Sequence, residues 1–312
     1  MTDLAEPTQT LQVWCVADQR PGHRNQLIGL VERLSAYAQV TAVWLDCDRL
    51  PTTWLDSLWP IHDPAPGAVP PDLVLGVGHD THRHLLAIKR RFGCRACVLM
   101  RPSLPVACFD MAIIPKHDKP AQSPRVLATD GVINKIGPST LAPEQRQLGL
   151  ILIGGESRHF HWDSAAVLAQ VIDLVRSDAE RRWVLTDSRR TPEDFWAALA
   201  AALPDNLTIH RHSETASDWL VTHMAESALI AVTPDSVSMV YEALTSGATT
   251  AIFALQPKGE GRILRGIQTL LASGRLEQLA PSCKLRADQQ TQPLWEADRA
   301  AQWLLGQLRE SV

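Results

Sequence analysis

The sequence predicts an α/β protein built from two doubly wound, Rossmann-like domains. Short, near-continuous apolar runs alternate with stretches of helical spacing, the pattern of parallel strands covered on both faces by helices. The alternation stops at a proline-containing stretch without apolar period, residues 137–147, and then restarts. A chain of 312 residues is long for one compact domain and comfortable for two.

Leu11–Ala17 reads as the first strand. Residues 26–37 form a helix, with apolar side chains at 27, 28, 30, 31 and 34. Val40–Leu45 is the second strand. The Pro- and Trp-rich region from Leu50 to Pro71 reads as an irregular crossing with one short helix. Asp72–Gly78 is a strand, 80–91 a helix with a basic end, and Ala96–Met100, Asp110–Ile114 and Arg125–Ala128 are further strands. Beyond the linker, Leu148–Ile153 is a strand, Asp163–Arg176 a helix and Arg182–Thr186 a strand. Thr191 and Pro192 suit the N-cap and first position of the next helix. Leu207–His210 is a short strand, 217–225 a helix, Ala228–Val232 a strand, 236–246 a helix and Thr249–Phe253 a strand. Residues 295–311 read as a closing helix with Trp295, Trp303, Leu304, Leu305 and Leu308 on its apolar side.

Composition narrows the function. Hydrophobic residues are 45% and charged residues 21%, ordinary for a soluble globular protein. A formal charge of −4 argues against a dedicated nucleic-acid binder. No apolar run reaches membrane-span length, and the N-terminus lacks the basic start and apolar middle of a secretory signal. It reads as a short mobile tail. The six cysteines (15, 47, 94, 97, 108 and 283) are scattered, as in a reducing cytoplasm. Most of the ten tryptophans read as core filling; Trp162, which follows a glycine loop, is the one best suited to stacking on a sugar.

The most informative stretch is Thr233–Gly247. After a buried strand, Asp235 and Ser236 open a helix with N-cap chemistry. Its free N–H groups and partial positive charge suit a diphosphate. Further along, Glu242 can accept hydrogen bonds from ribose hydroxyls. A second loop, Gly154–Asp163, also joins a strand to a helix. Its paired glycines let amides face a phosphate, Ser157 offers a hydroxyl and Arg158 a charge. In the first domain the opening strand runs into Asp18–Gln26. Gly22 permits close backbone approach, and Asp18 and His23 are general-base types at a strand's carboxyl end, where doubly wound sheets bind ligands. Each has an ordinary alternative, Asp18 as a cap and His23 as a loop hydrogen bonder.

Other patterns read as structural. His79, His82 and His84 lack a clear fourth metal ligand, and His79 is expected to line the cleft. Cys94–Cys97 is a lone pair running into a strand. Asp46-Cys47-Asp48 mimics a metal-binding Asp-x-Asp but reads as a solvated loop. Lys89–Arg91 beside Phe92 fits an anionic membrane surface, and a helix end favoured by its dipole explains it equally.

The set formed by Asp18–Gln26 with its Pro-Gly-His-x-Asn-Gln core, Gly154–Ser157 and Thr233–Met239 resembles the mitochondrial-fission (ELM-type) family of bacteria and plants, as does Phe109–Asp118. The resemblance spans roughly residues 11–255 and implies the glycosyltransferase-B architecture. The first domain would span 1–140 with 285–312 packing back on it, and the second 148–284, the two facing a cleft. It implies a metal-independent glycosyltransferase without a cofactor, moving a sugar from a nucleotide sugar to a cell-envelope glycan or glycolipid. The protein would be cytoplasmic, with peripheral contact at the inner membrane face. By the same resemblance Gly154, Gly155, Ser157, Asp235, Ser236, Ser238 and Glu242 match donor-binding positions, and Asp18, Gly22 and His23 the acceptor-side loop; Arg158, Asn25, Gln26 and His79 complete the expected sites. The alternatives are a nucleotide-sugar epimerase on the same fold and a non-catalytic, membrane-associated adaptor.

Overall fold

The computed structural model describes residues 10–59, 61–280, 285 and 292–309. The expectations for the N-terminal tail and Cys283 fall outside them. The chain forms two compact units, one running to Lys135 and rejoined by the segment from Trp295, the other Ile136–Leu294.

The first unit holds β1 (Thr10–Ala17), α1 (Pro21–Ser35), β2 (Gln39–Asp46), β3 (Leu73–Val77), α2 (His82–Phe92), β4 (Arg95–Leu99), β5 (Met111–Pro115) and β6 (Val126–Thr129). Its six strands pair in the order β2-β1-β3-β4-β5-β6, all parallel. The chain reverses direction across the sheet between β1 and β3, so the loops leaving these two strands flank the switch point where open α/β sheets bind ligands. Val13, Cys15, Leu73 and Leu75 face one layer with Leu27, Leu30 and Leu34 of α1; Trp14, Val16 and Val74 face the other with Leu85 and Ile88 of α2.

The second unit holds β7 (Leu148–Leu152), α3 (Ser164–Ser177), β8 (Trp183–Thr186), α4 (Glu193–Ala201), β9 (Leu207–His210), α5 (Trp219–Glu226), β10 (Ser227–Val232), α6 (Val237–Ser246), β11 (Thr249–Ile252), α7 (Arg262–Ala272) and β12 (Glu277–Gln278). Its strands run parallel in the order β12-β11-β10-β7-β8-β9, which puts the switch point between β7 and β10. The last helix, α8 (Glu296–Arg309), belongs to the first unit. Ala297, Ala300, Ala301, Leu304 and Leu305 enter the α1 layer, and Arg33 of α1 binds Asp298 and stacks on Trp295.

Four local features differ from the sequence expectation. α1 begins at Pro21 rather than near Gln26, because proline is preorganised for the first helical turn; His23 and Asn25 therefore lie on a helix and not in a loop. Pro192 is the N-cap of α4, and the Thr191 hydroxyl turns instead to the Gly154 carbonyl. Residues 139–146 are tied to the second unit: Ser139 N–H donates to Ser246, and Arg146 donates to the Ser227 and Gly247 carbonyls. α7 and β12 were not anticipated at all.

Candidate functional site

At the first switch point, Asp18 directly follows β1 and the first turn of α1 carries His23. His23 Nδ1 lies 2.8 Å from Asp18 Oδ2. The Asp18 side chain is 6% exposed and that of His23 19%, so the carboxylate is sheltered while the ring keeps an opening. Arg20 adds its N–H to Asp18 Oδ1 and its guanidinium to Asp18 and Asp80. The ring fits because Gly78 follows β3. Gly78 has φ +83°, and a Cβ there would sit 2.7 Å from His23 Cε1. Outside its chain neighbours and its own helix backbone, no described protein atom comes within 4 Å of the Gly22 Cβ position, so that position is open. With the Nδ1 proton given to Asp18, Nε2 is left as a base.

Beside this pair a cavity of about 440 Å³ is lined by Asp18, Arg20, Arg24, Asn25, Trp44 and Asp46. Arg24 lies over the Trp44 ring, 5.1 Å from its centroid. Gln26 points into the core and is buried. His79 is exposed and bonded to Asp80 at 2.9 Å. Asp46, Cys47 and Asp48 are the one group of metal-ligand types that gathers among the described residues. Burial, helped by Asp48 and Asp18, pushes the Cys47 thiol up to about 12. His82 packs on Phe109 and His84 bonds Thr52, so these histidines have separate surroundings. Burial pushes the Cys94 thiol up to about 12 and raises that of Cys97 further. Lys89 and Arg91 are ion-paired with Asp110 and Asp63.

At the second switch point the structure brings the glycine loop and the start of α6 together, as the sequence expected. Gly154 N–H donates to Thr233 Oγ1 at 2.7 Å, and Gly155 N–H to Asp235 Oδ2 at 3.1 Å. Both amides are thus satisfied by the protein. The glycines are required by packing: a Cβ on Gly154 would meet the Asp235 carboxylate at 2.3 Å, and one on Gly155 the Arg190 carbonyl at 2.0 Å. Asp235 is fully buried and ion-paired with Arg190 at 2.8 Å. Arg190 also donates to the Gly155 and Glu156 carbonyls. Ser236 is the buried N-cap of α6, Ser238 is exposed on its first turn, and Glu242 is buried within the helix. The Ser157 hydroxyl accepts from the His159 and Phe160 amides, and Arg158 Nε donates to His159 Nε2. Trp162 is half-buried against Phe195, with its indole N–H on Ser164. Arg190 and Lys258, both set among these residues, were not singled out from sequence; a lone cation in a loop has no periodic signal.

Two parallel six-stranded sheets, each with its ligand edge at a strand-order reversal, define a protein of the glycosyltransferase-B class of paired Rossmann-like domains. Within that class the chain belongs to the family described as Mitochondrial fission ELM1, which it matches over residues 21–308. A relative in Rickettsia prowazekii (strain Madrid E), an uncharacterized protein, is 23% identical over 295 residues, covering 78% of this chain and 83% of the other. Among solved structures, the UDP-GlcNAc 2-epimerase of Neisseria meningitidis bound to UDP-GlcNAc aligns with TM-score 0.56 and 12% identity, over 96% of this chain and all (100%) of that one. The UDP-GlcNAc 2-epimerase of Methanocaldococcus jannaschii aligns with TM-score 0.55 and 9% identity, over 95% and 100%. At such identities the likeness is one of fold. Among the described residues no helix is long and apolar enough to cross a membrane.

Proposed function

We propose that this protein is a nucleotide-sugar enzyme that transfers the sugar to a hydroxyl of a glycan or glycolipid acceptor, with the cell envelope as the setting. The observation that carries the reading is the Asp18–His23 pair, 2.8 Å apart at the switch point of the first sheet. In this reading His23 Nε2 takes the acceptor proton as the oxygen attacks the anomeric carbon. The bond from that carbon to the diphosphate oxygen breaks, and the diphosphate leaves. Asp18 holds the ring in the productive tautomer and stabilises the imidazolium that forms. One displacement of this kind inverts the anomeric centre. The second unit holds the donor, with Glu242 on α6 as its ribose neighbour. The reading needs no metal, the charge on the leaving group being met by protein cations.

Turnover of a nucleotide sugar with an envelope glycolipid extract tests this. His23→Ala should lower turnover by roughly 10²–10⁴-fold, the usual span for loss of a general base, and leave nucleoside diphosphate affinity intact. Unchanged turnover in His23→Ala removes the base assignment.

A second reading, a nucleotide-sugar epimerase, is favoured by the two solved structures of similar fold, both UDP-GlcNAc 2-epimerases. Incubating UDP-GlcNAc with the protein and no acceptor separates the two, since an epimerase alone inverts C2 of the donor.

A further inference from the structure

Two places at the carboxyl edge of the second sheet offer positive charge to a phosphate. The first is the hollow between β7 and β10, where the Gly155 N–H, the start of α6 and the Arg190 guanidinium converge. The chain fills it itself. Asp235 Oδ2 takes the Gly155 N–H at 3.1 Å and Arg190 at 2.8 Å, and the carboxylate has no solvent exposure. Among the described residues Asp235 Oδ1 is buried without a hydrogen-bond partner, so the carboxylate keeps unshared charge in the hollow. A phosphate entering this hollow would meet a buried like charge, a costly encounter in a low-dielectric site.

The second place is a cavity of about 490 Å³ whose wall includes Glu156, Ser157, Arg158, His161, Trp162 and Lys258. It is built from two loops, the one after β7 and the one after β11. They are pinned together by an antiparallel bridge between Phe160 and Pro257. His161 N–H donates to the Gln256 carbonyl and Lys258 N–H to the His159 carbonyl, both at 2.8 Å. Lys258 Nζ is steadied by the Ser157 carbonyl at 2.9 Å, which uses one of its three donors. Arg158 spends its Nε on His159 and keeps its terminal nitrogens. Burial first, then the neighbouring Arg158 and Arg262, lowers the His159 pKa. The Trp162 indole N–H is committed to Ser164, leaving the ring face as what it can offer a sugar.

We infer that the diphosphate of the donor seats on Arg158 and Lys258 in this cavity, while Asp235 closes the adjoining helix-terminus hollow. The inference rests on the nucleotide-sugar reading and names the side chains that hold its charged part. Two cations fixed on bridged loops form a preorganised clamp for two phosphate groups.

Calorimetric titration with pyrophosphate and with UDP tests it on the wild-type chain, Arg158→Ala, Lys258→Ala and Asp235→Asn, each checked for folding by circular dichroism. Arg158→Ala and Lys258→Ala should each weaken both ligands about tenfold or more, and Asp235→Asn should not tighten either. Unchanged affinity in both cation variants, or a tenfold gain in Asp235→Asn, overturns the assignment and leaves the nucleotide reading standing. Pyrophosphate binding that depends on Arg158 and Lys258, without any nucleoside diphosphate binding, upholds the anion clamp and ends the nucleotide reading. Binding of neither ligand by the wild type ends both.

Discussion

Single atoms decide the first unit's site. Gly78 carries a left-handed backbone (φ +83°) and leaves the volume that the His23 ring fills. An alanine there adds backbone strain of about 1–3 kcal/mol and a methyl in the path of the ring. Gly78→Ala should therefore lower both melting temperature and turnover, the latter at least tenfold. Gly22→Ala is the matched control, since that Cβ position is open and alanine is the better helix former. Thermal denaturation with steady-state rates for the two variants checks this; equal effects would show that Gly78 does not seat the ring. At this scale the sequence was partly legible. Asp18 and His23 stood out because both lie in the segment that leaves the first strand. Gly78 did not, because its contact with His23 joins the loop after β3 to α1, far apart in sequence. The pairing of Gly155 with Asp235 is likewise a tertiary contact. From sequence the paired glycines read as phosphate-facing amides, and the structure gives those amides to Thr233 and Asp235.

Among the elements, α2 carries a buried histidine that ties it to the crossing before β3. His84 is fully buried; Arg83 Nε donates to its Nε2 at 3.1 Å and its Nδ1 meets the Thr52 hydroxyl, an arrangement suited to the neutral ring. Burial, with the nearby Arg83, pushes His84 down from 6.5 to about 4, and burial lowers His82 as well. The unfolded chain takes up the His84 proton near pH 6.5 and the folded chain only near pH 4. Stability conferred by the neutral ring is thus complete above pH 6.5 and is lost as pH falls toward 4, by roughly 3 kcal/mol. Denaturant titrations at pH 7 and pH 4.5 should show this fall in the wild type and a shallower one in His84→Gln; identical pH dependence would contradict it. Element identity was largely legible where apolar spacing was strong. Starts were less so: Pro21 belongs to α1, and Pro192 caps α4. α7 has apolar residues at 263, 264, 267, 270 and 271, a helical spacing that the glycines before it and the loop setting obscured. β12 has two residues, too few for any alternation to show.

At the scale of the whole molecule, the restart of strand–helix alternation near residue 148 was enough to foresee two parallel, doubly wound sheets. The strand order places each switch point beside the loops singled out from sequence. The chemistry on those loops was less legible than their position, because it depends on which charges the fold neutralises internally. Asp235 with Arg190 is such a pair, and Arg158 with Lys258 is not. The central claim is that the second unit accepts a nucleoside diphosphate while the Asp18–His23 pair serves the reaction and not the binding. Calorimetric titration of UDP and the other nucleoside diphosphates into wild type and His23→Ala tests it most directly. The account predicts saturable binding of at least one of them, with the same affinity in both proteins; the absence of binding heat for every nucleoside diphosphate would contradict it.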